Sequence, residues 1–150
     1  MKRHESRYLG FQFRGSGIRY CVDVTRLFRV EQRVPIYILP WGRREILGLC
    51  RLQSWWIPVL DLRMFIKEET GAVGRAVMIA QGEEDFVGFA VERFLDTFTK
   101  RAIGAVQRQD HPYLPYRFKV GDTEYALVDM NVIVKEALKR LWNFMDNGIK

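Results

Sequence analysis

A chain of 150 residues with 48% apolar content is long enough to bury a sizeable core and too apolar for wholesale disorder. Its 24 Lys and Arg against 18 Asp and Glu leave a formal net charge of +6, which favours acidic partners, whether protein, nucleic acid or anionic lipid. No apolar run is long enough to span a bilayer, the start lacks the apolar centre of a secretory leader, and Cys21 and Cys50 show no Cys-x-x-Cys spacing. Buried, reduced thiols in a soluble cytoplasmic protein are therefore expected.

In chain order, Tyr8 to Phe13 reads as a strand, Gly15-Ser16-Gly17 as a turn and Ile18 to Val22 as the return strand. Asp23 can cap one helical turn that places Val24, Leu27 and Phe28 on one face. Val34 to Leu39 is apolar around Pro35, and Pro40-Trp41-Gly42 closes it as a turn. From Ile46 to Arg63 two apolar runs flank a short polar break at Gln53-Ser54, the pattern of a hairpin. Pro58 cannot donate to a ladder, so the second run should be an edge strand or carry a bulge there. An apolar edge strand invites another chain to dock on it. Asp61 to Ile66 can form a short helical turn, and the polar stretch Lys67 to Arg75, with Gly71 and Gly74, is a loop and the expected boundary between two lobes.

Ala76 to Ala80 and Phe86 to Val91 are strands about a turn at Gly82-Glu83-Glu84-Asp85, and Phe94 to Phe98 extends the second or bends away from it. Gln107 to Tyr116, with Pro112 and Pro115, reads as irregular. Arg117 to Val120 and Tyr125 to Val128 pair around Gly121-Asp122. Asn131 then caps a helix from about Val132 to Met145, with Ile133, Ala137, Leu138, Leu141, Trp142 and Met145 as its apolar stripe. Short strands at close spacing with one terminal helix argue an all-β-dominated small barrel or sandwich.

Nothing in this pattern assembles a reaction centre. His4 and His111 have no second ligand at metal-binding spacing. Ser16 and Ser54 fall in turns, where serine has a conformational reason to be. The acidic runs Lys67-Glu68-Glu69 and Glu83-Glu84-Asp85 read as solvated turns, and no glycine-rich phosphate loop is present. No catalytic residue, metal or cofactor is expected, and the protein reads as no enzyme. A small-barrel nucleic-acid binder is the rival reading, because Tyr116-Arg117-Phe118-Lys119 interleaves rings with charge. Period-two alternation that buries Tyr116 and Phe118 explains the same run without a ligand. Trp55 and Trp56 are sharper. Neighbours on a strand face opposite ways, so both rings are buried only if the strand is covered on both sides; otherwise one is an exposed interface anchor.

Tyr20-Cys21-Val22-Asp23, Ile46-Leu47-Gly48-Leu49, Ile57-Pro58-Val59-Leu60-Asp61-Leu62-Arg63, Phe86-Val87-Gly88-Phe89-Ala90-Val91-Glu92 and Ala126-Leu127-Val128-Asp129-Met130 occur in that order. Together they resemble the CheW-like domain family, the adaptors of bacterial chemosensory arrays, from Tyr8 to about Val134. The resemblance implies two five-stranded SH3-like barrels sharing a hydrophobic core, in one domain over residues 1–150, with no catalysis and no cofactor. It also implies a CheA-type histidine kinase and a methyl-accepting chemoreceptor as partners, with barrel pairing against barrel and the receptor near the groove between lobes. Weak self-association is compatible with it; a small-molecule substrate, nucleic acid and membrane insertion are not what it implies.

The chain departs from the family pattern at contact positions. Arg51-Leu52-Gln53-Ser54 stands where the family usually has Asn-Leu-Arg-Gly, so the family arginine is Gln53 and the turn glycine is Ser54, strained if its φ is positive. A frequent glutamate is Arg29, and the usually polar place after the turn is Trp55. The expectation is an intact fold with altered partner specificity. Leu27 and Trp55 would give apolar anchorage, Arg29 and Arg51 charge complementarity, and Gly48 close backbone approach, with Gln53 at the turn.

Overall fold

The structure is a computed structural model in which residues 6–40, 44–68 and 71–148 are described, side chains as far as residue 143. His4, Trp41, Gly42 and the Met145 side chain lie outside the described residues. The chain runs β1 (Arg7–Gln12), β2 (Arg19–Asp23), a 3₁₀ turn (Val24–Arg26), β3 (Arg29–Glu31), β4 (Ile46–Leu52), β5 (Trp55–Asp61), α1 (Arg63–Ile66), β6 (Ala76–Gln81), β7 (Phe86–Val91), β8 (Arg93–Thr99), β9 (Ile103–Arg108), β10 (Tyr116–Val120), β11 (Thr123–Val128) and α2 (Met130–Gly148). One sheet has six strands in the order β8-β1-β2-β11-β10-β9, and the other five in the order β3-β6-β7-β5-β4. The architecture is thus mostly β with a terminal helix, as the pattern and the resemblance led one to expect, but one lobe carries a sixth strand.

The lobes are not consecutive halves of the sequence. Each sheet draws strands from both sides of the 67–75 loop, which lies between β5 and β6 of the same five-stranded sheet and packs against the first hairpin of the other. The chain crosses between sheets instead after β2, through the 3₁₀ turn, and between β7 and β8. The boundary placed at 67–75 is therefore corrected: a polar, glycine-bearing composition marks a loop, not which sheet the next strand joins.

Side-chain alternation explains how the lobes adhere. Along β6, Val77 and Ile79 point into the five-stranded lobe with Cys50, Ile57, Val59 and Ala90. Ala76, Met78 and Ala80 point the other way, into a larger core with Phe11, Tyr20, Leu60, Phe89 and Val128. The six-stranded lobe has its own small interior around Cys21, Phe118 and Tyr125. Ile133 and Ala137 of α2 and Phe65 of α1 join the shared core, all at or below 1% exposure.

Local differences have plain causes. Arg29 and Val30, just beyond the helical turn expected after Asp23, form β3 because they pair with β6 (Arg29 with Ile79, Val30 with Met78). β9 was not legible, since all but its first residue are exposed and show no alternation. Asp129, not Asn131, caps α2: its carboxylate accepts from the Val132 N–H at 3.4 Å and its carbonyl from the Ile133 N–H at 3.2 Å.

Candidate functional site

The site is built on the β4–β5 hairpin. Leu52 pairs with Trp55 and Arg51 with Trp56, leaving Gln53-Ser54 as the turn. The left-handed residue is Gln53, at φ 56°, and not Ser54. The Arg51 Nε donates to the Gln53 carbonyl at 2.9 Å, and its guanidinium lies 5.9 Å from the Trp56 ring centroid. The turn cation is thus committed to its own hairpin as well as facing water.

Pro58 does not mark an edge strand. β5 lies between β4 and β7. Its ladder with β7 runs from Val59 to Asp61, so Pro58 sits just before the point where an N–H would be needed. The bulge falls on β4, between Ile46 and Gly48. The true edge is β4, and the chain covers part of it: Tyr37 and Leu49 exchange backbone hydrogen bonds of 2.8 and 2.9 Å. Gly48 makes this possible, because a Cβ there would run into the Tyr37 carbonyl. The close approach expected of a partner at Gly48 is made by the chain's own backbone.

The strand pair is nevertheless open at its turn end. Trp55 is 57% and Trp56 52% exposed, although Val59 and Leu60 on the same strand are fully buried on opposite faces. The Trp55 ring meets Phe86 edge-on at 5.6 Å, and Phe86 lies 4.8 Å from the exposed Phe28. On the other face Tyr37 meets Trp56 edge-on at 5.4 Å. Phe28, Tyr37, Trp55, Trp56 and Trp142 are each more than half exposed, an unusual collection of aromatic surface for a chain of this size.

Two clefts flank the hairpin. One, of ≈ 390 Å³, runs between Trp55, Trp56 and Pro58 and the α2 side chains Leu138, Leu141 and Trp142. The other, of ≈ 360 Å³, is lined by Phe28, Arg29, Gln53 and Trp55 among others. Of the sequence-predicted site residues, Arg29, Gln53 and Trp55 therefore converge on one cleft. Arg29 is exposed and paired with Glu31 at 2.5 Å. Leu27 does not join them; it is half-buried against the shared core, its N–H bonded to the Val24 carbonyl. Arg51 sits on the Trp56 side and Gly48 beneath Tyr37. Phe28, Phe86 and Trp142 escaped the sequence reading, because each looked like an ordinary member of an apolar run.

Other polar groups hold the frame. Arg63 donates to both Asp61 oxygens, at 2.9 and 2.7 Å, and to the Gly71 carbonyl. The Asp61 contact drives the Arg63 pKa further up and keeps the guanidinium charged. Glu68 accepts from the Ser16 hydroxyl at 3.0 Å and from the Tyr20 phenol, tying the 67–75 loop to the first hairpin. His111 is a turn cap: its Nδ1 accepts from the Tyr113 and Leu114 N–H groups, both at 3.1 Å. Burial pushes both cysteine thiols up, away from nucleophilic use. Among the described residues no cluster of His, Cys, Asp and Glu could hold a metal, and no helix is long and apolar enough to cross a membrane. In the Tyr116–Lys119 run Phe118 is buried and Arg117 reaches Glu124 at 3.5 Å, but Tyr116 is exposed, so alternation accounts for Phe118 and not for Tyr116.

Fold and surface together define a two-lobed β protein that displays aromatic side chains on and around a hairpin. The chain belongs to the CheW-like domain family: a sequence model of that domain matches residues 8–136. Among solved structures it is similar to the scaffolding protein TtCheW from Thermoanaerobacter tengcongensis, with a TM-score of 0.67 and 17% identity over 84% of this chain and 90% of that one. No curated protein matches the sequence.

Proposed function

We propose that the protein is a non-catalytic, cytoplasmic CheW-like adaptor in chemotaxis-type signal transduction. It couples a methyl-accepting chemoreceptor to a CheA-type histidine kinase, or to diverged equivalents of that pair, with altered partner specificity. One observation carries the reading: two adjacent tryptophans stay about half exposed on a strand whose other end is fully buried. Leaving that much ring in water costs stability that docking would recover, and interface anchors are enriched in tryptophan. Family membership supports the kind of partner. Arg29 and Gln53, which line the same cleft as Trp55, supply the altered specificity.

Trp55→Ala is expected to weaken partner binding about tenfold or more while leaving the circular dichroism spectrum unchanged. Loss of folding instead would make the ring a core residue. Mixing the purified protein with a standard receptor–kinase pair tests specificity, and normal ternary assembly would count against its having diverged.

A further inference from the structure

The cleft between the hairpin and α2 carries a charge pattern opposite to that of the whole molecule. Its walls are Trp55, Trp56, Pro58, Leu141 and Trp142, and the only charged groups among its described lining residues are Glu84 and Asp85. Among the described residues neither carboxylate has an ion-pair partner. Both belong to the β6–β7 turn, which is held closed by the Gly82 N–H donating to the Asp85 carbonyl. Glu84 and Asp85 also line a neighbouring cleft with Arg26 and Lys135, so it is on the side facing the hairpin that a protein of net charge +6 presents an acidic rim over an aromatic wall. Trp142 is 54% exposed at the end of the apolar stripe of α2, where the stripe runs past the shared core and onto this cleft. A volume of ≈ 390 Å³ suits one or two large side chains. Indole faces and unpaired carboxylates both attract a cation.

We propose that this cleft takes a peptide segment of the protein partner that presents an apolar side chain beside a lysine or arginine. The apolar group lies against Trp55, Leu141 and Trp142, and the cation meets Glu84, Asp85 and the indole faces. The proposal rests on the reading of the hairpin as a docking surface and adds the chemistry of what docks.

Two blocked helical dodecapeptides, one of leucine and lysine and one of leucine and glutamate, are titrated against the full chain with tryptophan fluorescence as the readout. Overall charge favours the glutamate peptide, so preference for the lysine peptide would come from the cleft. The lysine peptide is expected to bind at least tenfold tighter. That preference is expected to fall below about threefold in the double variant Glu84→Gln/Asp85→Asn, and Trp142→Ala is expected to weaken binding about tenfold. All three positions are on exposed surface, and circular dichroism checks that the variants fold. Equal binding of the two peptides, tighter binding of the glutamate peptide, binding of neither, or an unchanged preference in the double variant overturns the proposal. Receptor–kinase assembly is measured on the same samples. Sensitivity to Trp55→Ala without a lysine preference sinks the charge rule alone, whereas indifference to Trp55→Ala sinks the docking reading beneath it.

Discussion

At Gln53 a single side chain stands in a backbone conformation that glycine adopts more cheaply. Its φ of 56° lies in the left-handed region, where a Cβ crowds the following carbonyl at a cost of roughly 1–2 kcal/mol. Gln53→Gly removes that crowding but loosens the unfolded chain, so a net gain of about 0.5 kcal/mol is expected in urea unfolding. The Arg51 bond to the Gln53 carbonyl survives, because it uses backbone. If partner binding falls in the same variant while stability rises, the Gln53 side chain is itself a contact. The hairpin break at Gln53-Ser54 was legible from two apolar runs around a polar pair. Which of the two residues would be left-handed was not, since that follows from the twist and register of the strands on either side.

The β4 edge shows what one glycine does for a whole element. Segment 36–38 lies close enough to β4 for Tyr37 and Leu49 to exchange hydrogen bonds, and Gly48 is the residue that lets the backbone in. Gly48→Ala forces the Tyr37 carbonyl away, breaks that bridge and strains a backbone at φ 156°. A loss of about 2 kcal/mol is expected, together with concentration-dependent association as the β4 edge is uncovered; sedimentation velocity at rising concentration reads the second effect. A tolerated alanine would mean that the segment is not held where the structure puts it. Elements with strong alternation or clear turn residues, such as β6, β7 and the β10–β11 hairpin at Gly121, could be read directly from the sequence. β3 and β9 could not. The first has only three residues and depends on β6 for its existence, and the second has no buried face to impose a period of two. The same physics hid Phe86 and Trp142 from the sequence reading. An apolar stripe does not say where the core ends, so a ring beyond its border looks like one inside it.

The two lobes should unfold as one body. The shared core takes Phe11 and Tyr20 from the six-stranded sheet, Met78, Leu60 and Phe89 from the five-stranded sheet, and Ile133 and Ala137 from α2. Separating the lobes would expose the outer faces of β5, β6 and β7 to water, and neither small interior is large enough to offset that loss. The interleaved topology adds to this, since each sheet needs strands from both halves of the chain. Met78, fully buried in β6, tests the point because its side chain faces the shared core while its neighbours Val77 and Ile79 face the lobe interior. Met78→Ala is expected to cost about 2–5 kcal/mol in a single unfolding transition. Native-state hydrogen exchange should speed up equally in β6 and in β10, although β10 belongs to the other sheet. Phe118→Ala, inside the six-stranded lobe, should carry the same signature in reverse and loosen β6 as much as β10. Protection lost in one sheet only would mean two bodies that merely touch. A docked partner could then shift one lobe against the other, whereas a single cooperative core holds the hairpin, the β6–β7 turn and α2 at fixed separation and presents them to the partner as one rigid surface.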